Sequence, residues 1–550
     1  MTPTVLVVGG AGAFGSRLVA GLIRTTDFDV IVAGRSLRRA EAQAAALGAT
    51  RARGVALDTT TAGPEDLRAT GAFVVVDAAG PFQGADYRLA RAAIAAGLHY
   101  VDLADARDFV VGFGVLDGEA RAAGVVALSG ASSTPALSHA VLDRMTAGWR
   151  RIDTVEIAIS PGNRNSPRGL SVISAILSYV GRPVRVFVDG AWTVRPGWDR
   201  PIRRQMPGLG PRWLSLCETP DLDLVPRRFS PRHEAIFQAG LELAVMHWGL
   251  YLAGFLVRIR LLPSLRPFTR VIRWVAERMR GLGSDRGGMT VEAAGIDAGG
   301  NPARMLWSLV AEAGDGPVIP TLPALATVRA LHGGKLVQPG ARPCVGMLDL
   351  DAIEHEFAPY RINTRILDLG MPHSPFKQLL GDGFDLLPEP VRRLHGLPAD
   401  AMTEGSADVV AARGFLPWLI CKLAGFPAPG ADVAVSVAFE VDGKGGEFWR
   451  RRFAGRRYQS GFSAGTGRRA GLLRERFFPF VFFHRLTPSA AGLRWDLVAW
   501  QLGPLPLPRR LMPPTVCFES NDEDRFVFDI DVKFPLVGQL IHYRGWLAQK

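Results

Sequence analysis

The chain opens on a short apolar run, Val5-Leu6-Val7-Val8, that passes directly into Gly9-Gly10-Ala11-Gly12-Ala13-Phe14-Gly15. A continuous apolar run of this length suits a strand buried on both faces of a parallel sheet. The glycines satisfy both Gly10-x-Gly12-x-x-Gly15 and Gly9-x-x-Gly12-x-x-Gly15, and a helical stretch, Phe14–Arg24, follows. A tight strand-to-helix turn needs a residue free to adopt left-handed backbone angles. A missing side chain lets the backbone approach a pyrophosphate, and a last glycine lets helix pack on strand. Free N–H groups and the positive end of the helix dipole complete an anion site. Strand, loop and helix together imply a dinucleotide cradle made by Gly9, Gly10, Gly12, Ala13, Phe14 and Gly15.

Five further units of the same kind follow. Apolar runs at Val30–Ala33, Val55–Leu57, Phe73–Asp77, Tyr100–Leu103 and Val125–Leu128 alternate with alanine-rich helical stretches, the last of them Pro135–Met145. This alternation predicts an α/β fold for residues 1–150: a doubly wound Rossmann domain. An NAD-type site carries Asp or Glu at the end of its second strand, where it accepts from the ribose 2′-OH. Here that strand ends in Gly34-Arg35-Ser36, with Arg38 and Arg39 beyond. Arg35 suits a 2′-phosphate and Ser36 can donate to it, so the cofactor expected is NADP(H). Asp27 and Asp29 precede the strand, at its opposite end. Asp77-Ala78-Ala79-Gly80-Pro81-Phe82 follows the fourth strand. Ala79, Gly80 and Pro81 would let the backbone approach the ribose and nicotinamide side. Asp58 closes the third strand, with two readings: it faces the adenine, or it caps the next turn.

The remaining chain differs. Residues 151–350 read as an α+β domain, with a strand at Ile152–Ser160, a helix at Leu170–Val180, a Pro-, Gly- and Arg-rich stretch over Arg182–Arg232, and strands Met289–Asp297 and Arg304–Glu312 flanking an Asp297-Ala298-Gly299-Gly300-Asn301 turn. Ala235–Leu262 is strongly apolar but interrupted by Glu242, His247, Arg258 and Arg260. Three readings stand for it: a buried or dimer-interface helix, a membrane-surface segment with Arg258 to Arg286 as its basic flank, and a membrane span, which the charges disfavour. Residues 360–550 open with helical sequence at Pro375–Leu380 and Pro390–His395. They then become strand-rich from Asp432, which suits an antiparallel sheet or partly closed barrel.

Composition narrows the function classes. The 550 residues are 48% hydrophobic and 21% charged, as in globular proteins. The net charge of +12 rests almost wholly on arginine, with six lysines among 64 basic residues, and shows no long basic run or RNA-binding signature. It therefore reads as base composition of the genome, and no nucleic-acid partner is expected. Cys217, Cys344, Cys421 and Cys517 are scattered, without a CxxC pair, as in a reducing compartment. The N-terminus carries no leader pattern, so a cytoplasmic location is expected, with membrane association the alternative. HExxH, GxSxG and Walker A patterns and metal-spaced His/Cys clusters are missing, and no metal is expected.

Gly9–Gly15, Ala33-Gly34-Arg35-Ser36 and Ala78-Ala79-Gly80-Pro81-Phe82, with Gly97-Leu98-His99-Tyr100-Val101-Asp102-Leu103 and Gly130-Ala131-Ser132-Ser133-Thr134-Pro135, together resemble the saccharopine dehydrogenase-like family of NADP-binding reductases. Gly162-Asn163-Arg164 and Gly340-Ala341-Arg342-Pro343 look like later parts of that pattern. The resemblance covers about residues 1–350. It implies a Rossmann domain and an α+β domain used for substrate and homodimer contacts. It does not imply saccharopine as substrate, because relatives act on amino acids and on lipids. The long apolar, arginine-rich Arg182–Arg286 departs from the amino-acid enzymes. The C-terminal part resembles a bacterial domain family of unknown function through Leu380-Gly381-Asp382-Gly383-Phe384, Leu387-Pro388, Leu394-His395-Gly396 and Tyr543-Arg544-Gly545-Trp546-Leu547.

A nicotinamide reductase needs substrate placement and often a proton donor, since the hydride belongs to the cofactor. The candidates near the ends of strands five and six are Tyr100, Asp102, Asp105 and Ser132. His99 and Ser133 are further candidates; the alternatives are a remote position at the strand entrance for His99 and Tyr100, and helix capping for Asp105, Ser132 and Ser133. Asn163, Arg164 and Arg168 are candidates for a substrate carboxylate or phosphate. The function expected is NADPH-dependent hydride transfer to a small molecule of apolar or lipid-like character. Two alternatives stay open: a non-catalytic NADP-binding scaffold or sensor, and a membrane-surface lipid-handling protein.

Overall fold

Apolar strands alternating with alanine-rich helices bury both sheet faces, and in the computed structural model they build a seven-stranded parallel sheet. The structure describes residues 2–48, 50–164, 169–370, 374–397, 400–411, 414–424, 426–442, 445–477, 479–503, 505–534 and 538–549. The strands β1 (Thr4–Val8), β2 (Asp29–Gly34), β3 (Ala52–Ala56), β4 (Val74–Asp77), β5 (His99–Asp102) and β6 (Val126–Ser129) lie in the order β6-β5-β4-β1-β2-β3. The order reverses beside β1, which opens a crevice at the carboxyl ends of the strands. Strand β3 begins earlier than the apolar run Val55–Leu57 suggests, because it is the sheet edge and only partly buried.

The seventh strand comes from far along the chain. Gly340–Pro343 pairs in parallel with β6, Ala341 opposite Ala127. The helix Leu322–His332 likewise adds Ala324, Leu325 and Val328 to the core beneath β1 and β2. Residues 151–350 thus do not form one contiguous body: their last part returns to the first sheet.

A second, mixed sheet follows, in the order Ile202–Met206, Gly210–Leu216, Glu234–Ala239, Arg151–Ser160, Gly287–Ile296, Pro302–Ala311, Ile362–Asp368. Pro183–Val188 and Ala191–Pro196 form a hairpin paired to Glu234–Ala239. The poorly periodic stretch over Arg182–Arg232 is therefore four short strands followed by the helix Asp221–Phe229. The edge strand Ile362–Asp368 belongs to this second sheet, which moves the boundary expected near 360 to about 370.

The apolar segment Ala235–Leu262 is not one helix. Its first part is the strand Glu234–Ala239, parallel to Arg151–Ser160 with Ala235 opposite Val155. The break falls at Gly240, where a Cβ would lie 2.3 Å from the Trp213 carbonyl oxygen. Only Ala244–Arg258 is helical. Among the described residues, no helix is long and apolar enough to cross a membrane.

Residues 370–550, with the hairpin tip 294–304, form a second compact unit; the first comprises 1–293 and 305–369. In the second unit an antiparallel sheet closes on itself through pairing of Phe480–Ser489 with Gly492–Leu502. Around the ring from Phe480–Ser489 run Leu473–Phe477, Arg456–Ala464, Glu447–Phe453, Gly430–Val441, Ala401–Ala411, Gly538–Gln549, Arg525–Phe534, Thr515–Asp522 and Gly492–Leu502. Closure removes exposed edges, the standing liability of antiparallel sheets.

Candidate functional site

The loop after β1 folds as its glycines require. Gly9 has φ +73°, and a Cβ there would lie 2.8 Å from Ala79 Cα and 2.9 Å from the Ala78 carbonyl oxygen. The Gly9 and Gly10 N–H groups donate to the Ala33 carbonyl at 2.8 and 3.2 Å, and Gly12 N–H closes a turn onto Gly9 O at 2.8 Å. At Gly15, which opens helix α1 (Gly15–Thr25), a Cβ would stand 2.2 Å from Gly9 O. Phe14, at the N-cap, supplies no side-chain capping bond; within the first turn Ser16 N–H donates to Gly12 O at 3.1 Å and Arg17 N–H to Phe14 O at 3.0 Å. Ala13 and Phe14 complete the turn. This cradle, bounded by Ala78 and Ala79 and continuing into Gly80 and Pro81, fits a dinucleotide pyrophosphate.

Arg35 and Ser36 are exposed just beyond β2. Ser36 caps helix α2 (Leu37–Ala46) by accepting from Arg39 N–H at 3.4 Å, which leaves its hydroxyl proton free to donate. Asp58 accepts from the Thr60 N–H and hydroxyl at 2.9 and 2.8 Å, so it caps the following turn. Those two bonds hold its carboxyl below the ordinary range, and the Arg35 charge adds to the effect. Asp58 and Arg35 are therefore electrostatic neighbours at the adenosine end of the crevice.

Asp77 and Asp102 are register partners at the ends of β4 and β5. Asp77 accepts from Ala79 N–H at 2.9 Å and from the Tyr100 hydroxyl at 3.3 Å. Asp102 Oδ1 accepts from Gly130 N–H at 2.7 Å, Ala104 N–H at 3.0 Å and the Ser129 hydroxyl at 3.0 Å. Burial pushes the Asp77 carboxyl up to about 6 and that of Asp102 up to about 7. Tyr100 is buried, stacks on Phe113 and is raised well above its ordinary value. This cluster holds the Gly130 turn through Asp102, and neither Tyr100 nor Asp102 is among the residues lining the first unit's cavity of about 380 Å³. A carboxyl raised on folding stabilises the fold while protonated and loses that contribution as pH rises through its folded value. The Asp77–Asp102 pair accordingly costs stability between about pH 4 and 7. Asp102→Asn is expected to flatten the fall in stability across that window, as read from urea midpoints at pH 5 and pH 8 against wild type.

Asp105 and Ser132 fall elsewhere. Both line a cavity of about 380 Å³ within the first unit, together with Phe14 of the glycine loop, Gln83, Ser133 and Thr134. Ser132 makes no side-chain capping bond to the helix that follows. Asp105 accepts from Gln83 Nε2 at 3.2 Å. It is exposed where it lines the cavity, and desolvation by the surrounding protein raises its carboxyl.

The opposite wall contains groups that sequence reasoning missed. The Tyr179 hydroxyl and Cys217 thiol meet at 2.9 Å, both buried, and Glu218 lies beside them. Burial lifts the Cys217 thiol to about 12 and Tyr179 well above its ordinary value, and the charge of Asp105 adds to both. Burial also raises Glu218, against the pull of Arg107. Most of the remaining lining is apolar, including Ile173, Leu177, Met246, Leu250 and Ile272.

His99 Nδ1 accepts from Val126 N–H at 3.0 Å, at the strand entrance and away from the crevice. Asn163 lines the same cavity, and its amide donates to the Met279 and Leu282 carbonyls, both at 2.7 Å. Arg164 reaches Gly283 O. Arg168 lies outside the described residues.

A glycine cradle at a parallel-sheet switch point, with an apolar cavity beginning at its nicotinamide side, defines a nicotinamide-dinucleotide-binding domain. Residues 5–142 match the family described as Saccharopine dehydrogenase NADP binding domain, and residues 387–547 match a domain of unknown function, DUF4166. The N-terminal domain is thus similar to the NADP-binding domains of saccharopine dehydrogenases. Among solved structures, saccharopine dehydrogenase (L-Glu forming) from Saccharomyces cerevisiae aligns over 66% of this chain and 100% of its own, at 14% identity and TM-score 0.48. GenD2 from gentamicin A biosynthesis, in complex with NAD, aligns over 67% of this chain and 97% of its own, at 16% identity and TM-score 0.32. UDP-N-acetylglucosamine 3-dehydrogenase GnnA from Acidithiobacillus ferrooxidans aligns over 65% and 95%, at 15% identity and TM-score 0.32. No curated protein sequence matches the chain.

Proposed function

We propose that the protein is an NADP(H)-dependent oxidoreductase acting on a small, predominantly apolar molecule in the cavity that begins at Phe14. The carrying observation is continuity: the same loop that supplies the cradle supplies the first wall of the cavity, and Asp105 stands in it. When bound, the nicotinamide ring supplies or accepts the hydride. The chain's own groups do the rest. Gly9, Gly10, Gly12, Ala13, Phe14 and Gly15 hold the pyrophosphate, Arg35 and Ser36 hold the 2′-phosphate, and Ala79, Gly80 and Pro81 wall the nicotinamide side. Asp105, in the cavity wall, holds the proton exchanged with the substrate. Ser132, and the Tyr179–Cys217 pair kept protonated by burial, offer hydrogen bonds that orient it. The apolar lining excludes water from the transfer.

Thermal shift with NADPH and NADH tests the cofactor assignment. Stabilisation follows affinity, so NADPH is expected to raise Tm more than NADH at equal concentration, and Arg35→Asp to abolish the difference. Equal or larger stabilisation by NADH removes the role given to Arg35. NADPH oxidation across carbonyl, imine and enoyl compounds, lost in Asp105→Asn, tests the activity. Cofactor binding without turnover across that panel favours a non-catalytic scaffold.

One observation favours a membrane-surface version of this reading. The helices Ala244–Arg258 and Thr269–Arg278 contribute Met246, Leu250, Ile272 and Ala276 to the cavity. Their outer faces leave Val245 66%, Leu252 63%, Val271 58% and Trp274 59% exposed, with Arg260, Arg266, Arg270 and Arg273 also at the surface. An exposed apolar face flanked by arginines suits the headgroup region of an anionic bilayer, and it would bring a lipid-like substrate to the cavity wall. The protein is expected to pellet with phosphatidylglycerol vesicles at low salt, and Leu252→Glu/Trp274→Glu to stay in the supernatant. A wild-type chain that stays soluble but runs as a dimer assigns this face to a second copy.

A further inference from the structure

The C-terminal barrel is hollow. Around its wall the inward positions recur with the strand period of two: Trp449 and Arg451, then Tyr458, Ser460 and Phe462, then Glu475 and Phe477, then Phe480, Phe482 and His484. They enclose a cavity of about 420 Å³, within the size range of small-molecule sites. A barrel of about eight strands is just wide enough for side chains to fill; the additional strands here leave room. One end is closed by the helices Pro375–Leu380 and Glu389–His395. Phe376 packs on Trp449, Phe462 and Trp495, while His395 Nε2 meets Glu519 Oε2 at 2.6 Å.

An interior built for stability alone would be apolar, since buried charges cost more in desolvation than well-packed hydrocarbon. This one contains an ordered polar wall. The Ser460 hydroxyl donates to Glu475 Oε1 at 2.6 Å, and His484 Nε2 pairs with Glu475 Oε2 at 3.0 Å. Arg451 donates through Nη1 to Ser460 Oγ at 3.0 Å, and its guanidinium lies 5.0 to 5.8 Å from the ring centres of Trp449, Tyr458 and Phe462. Glu475 is taken by His484 and Glu519 by His395. Among the described residues, no ion pair joins a carboxylate to Arg451 and its guanidinium makes no second hydrogen bond, although its charge helps hold the Glu475 carboxyl down.

We propose that the barrel lumen is a second binding site, for an amphipathic carboxylic acid whose apolar body lies against Phe477, Phe480, Phe482 and Trp500 and whose carboxylate meets Arg451. The residues present provide both halves of that ligand: an aromatic sleeve, and one cation held on aromatic rings with open donors. Nothing in this site draws on the dinucleotide or on the cavity of the first unit.

The test uses the full chain and the fluorescent acid 11-(dansylamino)undecanoate. The probe is expected to brighten on binding and to be displaced by palmitate at least tenfold more effectively than by hexadecanol. Val532→Trp, which fills the lumen, is expected to abolish the signal. Arg451→Met is expected to keep binding but to make palmitate and hexadecanol equal competitors. Unchanged NADPH stabilisation in both variants shows that the first unit is intact, and near-UV circular dichroism reports the barrel. If Val532→Trp unfolds the barrel, Arg451→Met alone decides. No displaceable signal in wild type, probe binding unaffected by a folded Val532→Trp, or an acid preference surviving in Arg451→Met would each overturn the proposal.

Discussion

Gly15→Ala is expected to weaken NADPH binding at least a hundredfold while the chain stays folded. The added Cβ would lie 2.2 Å from Gly9 O, 2.8 Å from Gly9 C and 2.9 Å from Gly10 Cα, all of them backbone atoms with no flexible end to swing aside. The turn closed by Gly12 N–H on Gly9 O must open, and the N–H groups aimed at the pyrophosphate move with it. Alanine otherwise favours the helix it enters, so the damage stays in the loop. A hundredfold loss corresponds to about 2.7 kcal/mol, less than a small domain's total stability. Titration of NADPH fluorescence gives the affinity, and far-UV circular dichroism reports the fold. An affinity within threefold of wild type would mean that the dinucleotide is held by some other part of the chain.

Arg107→Met is expected to destabilise the first unit by about 3–5 kcal/mol, the usual cost of stranding one member of a buried ion pair. Arg107, on the helix Arg107–Gly112, pairs through Nε with Asp223 Oδ2 at 2.6 Å and donates to the Arg185 carbonyl at 2.8 Å. Both charged side chains are nearly inaccessible, at 6% and 7% exposure. Burial works to raise the Asp223 carboxyl, but the hydrogen bonds and charges of Arg107 and Arg185 outweigh it and hold the group below its ordinary range. A carboxyl lowered on folding stabilises above its unfolded pKa and loses that contribution as pH falls through its folded value. The variant's deficit should therefore shrink below about pH 4. Arg107→Met/Asp223→Asn is expected to recover most of the loss, because it removes a buried charge left with the half-exposed Arg185 as its partner. Urea denaturation of the two single variants and the double variant closes the cycle. Additive losses would show that the pair is not coupled.

The parts of this molecule readable in its sequence are those whose physics is local. Strands β1, β2, β4, β5 and β6 sit inside a parallel sheet, so each shows as an unbroken apolar run, and the Gly9–Gly15 loop carries its geometry in its composition. Most barrel strands from Gly430 onward show through aromatic alternation and glycine or proline punctuation, but Gly538–Gln549 does not. Ala401–Ala411 and Thr515–Asp522 were less legible, because their outward positions carry Glu404, Ser406, Asp408, Ser520 and Asp522. Ala235–Leu262 misleads for the opposite reason. A half-buried strand and a half-exposed apolar helix have similar composition here, and only the short link from Gly240 to Leu243 separates them. The site divides along the same line. Arg35 and Ser36 could be named from their place after β2, whereas Tyr179 and Cys217 are distant in sequence and meet only because a helix end and a strand end converge. Asp102 and Asp105 looked alike as candidates until one proved to lie beneath the crevice and the other in its wall.

The strand Gly340–Pro343 also governs how the protein can be made. Until the ribosome has delivered it, β6 is an open edge whose four residues are all buried in the finished sheet. At ordinary elongation rates of about 5–20 residues per second, the delay from β6 amounts to roughly ten to forty seconds. A nascent N-terminal domain must spend that interval with an apolar, pairing-competent edge, the kind of surface that aggregates or recruits chaperones. An expression fragment cut near residue 150 would hold the same unfinished sheet permanently, so a soluble cofactor-binding fragment has to carry the chain through Pro343.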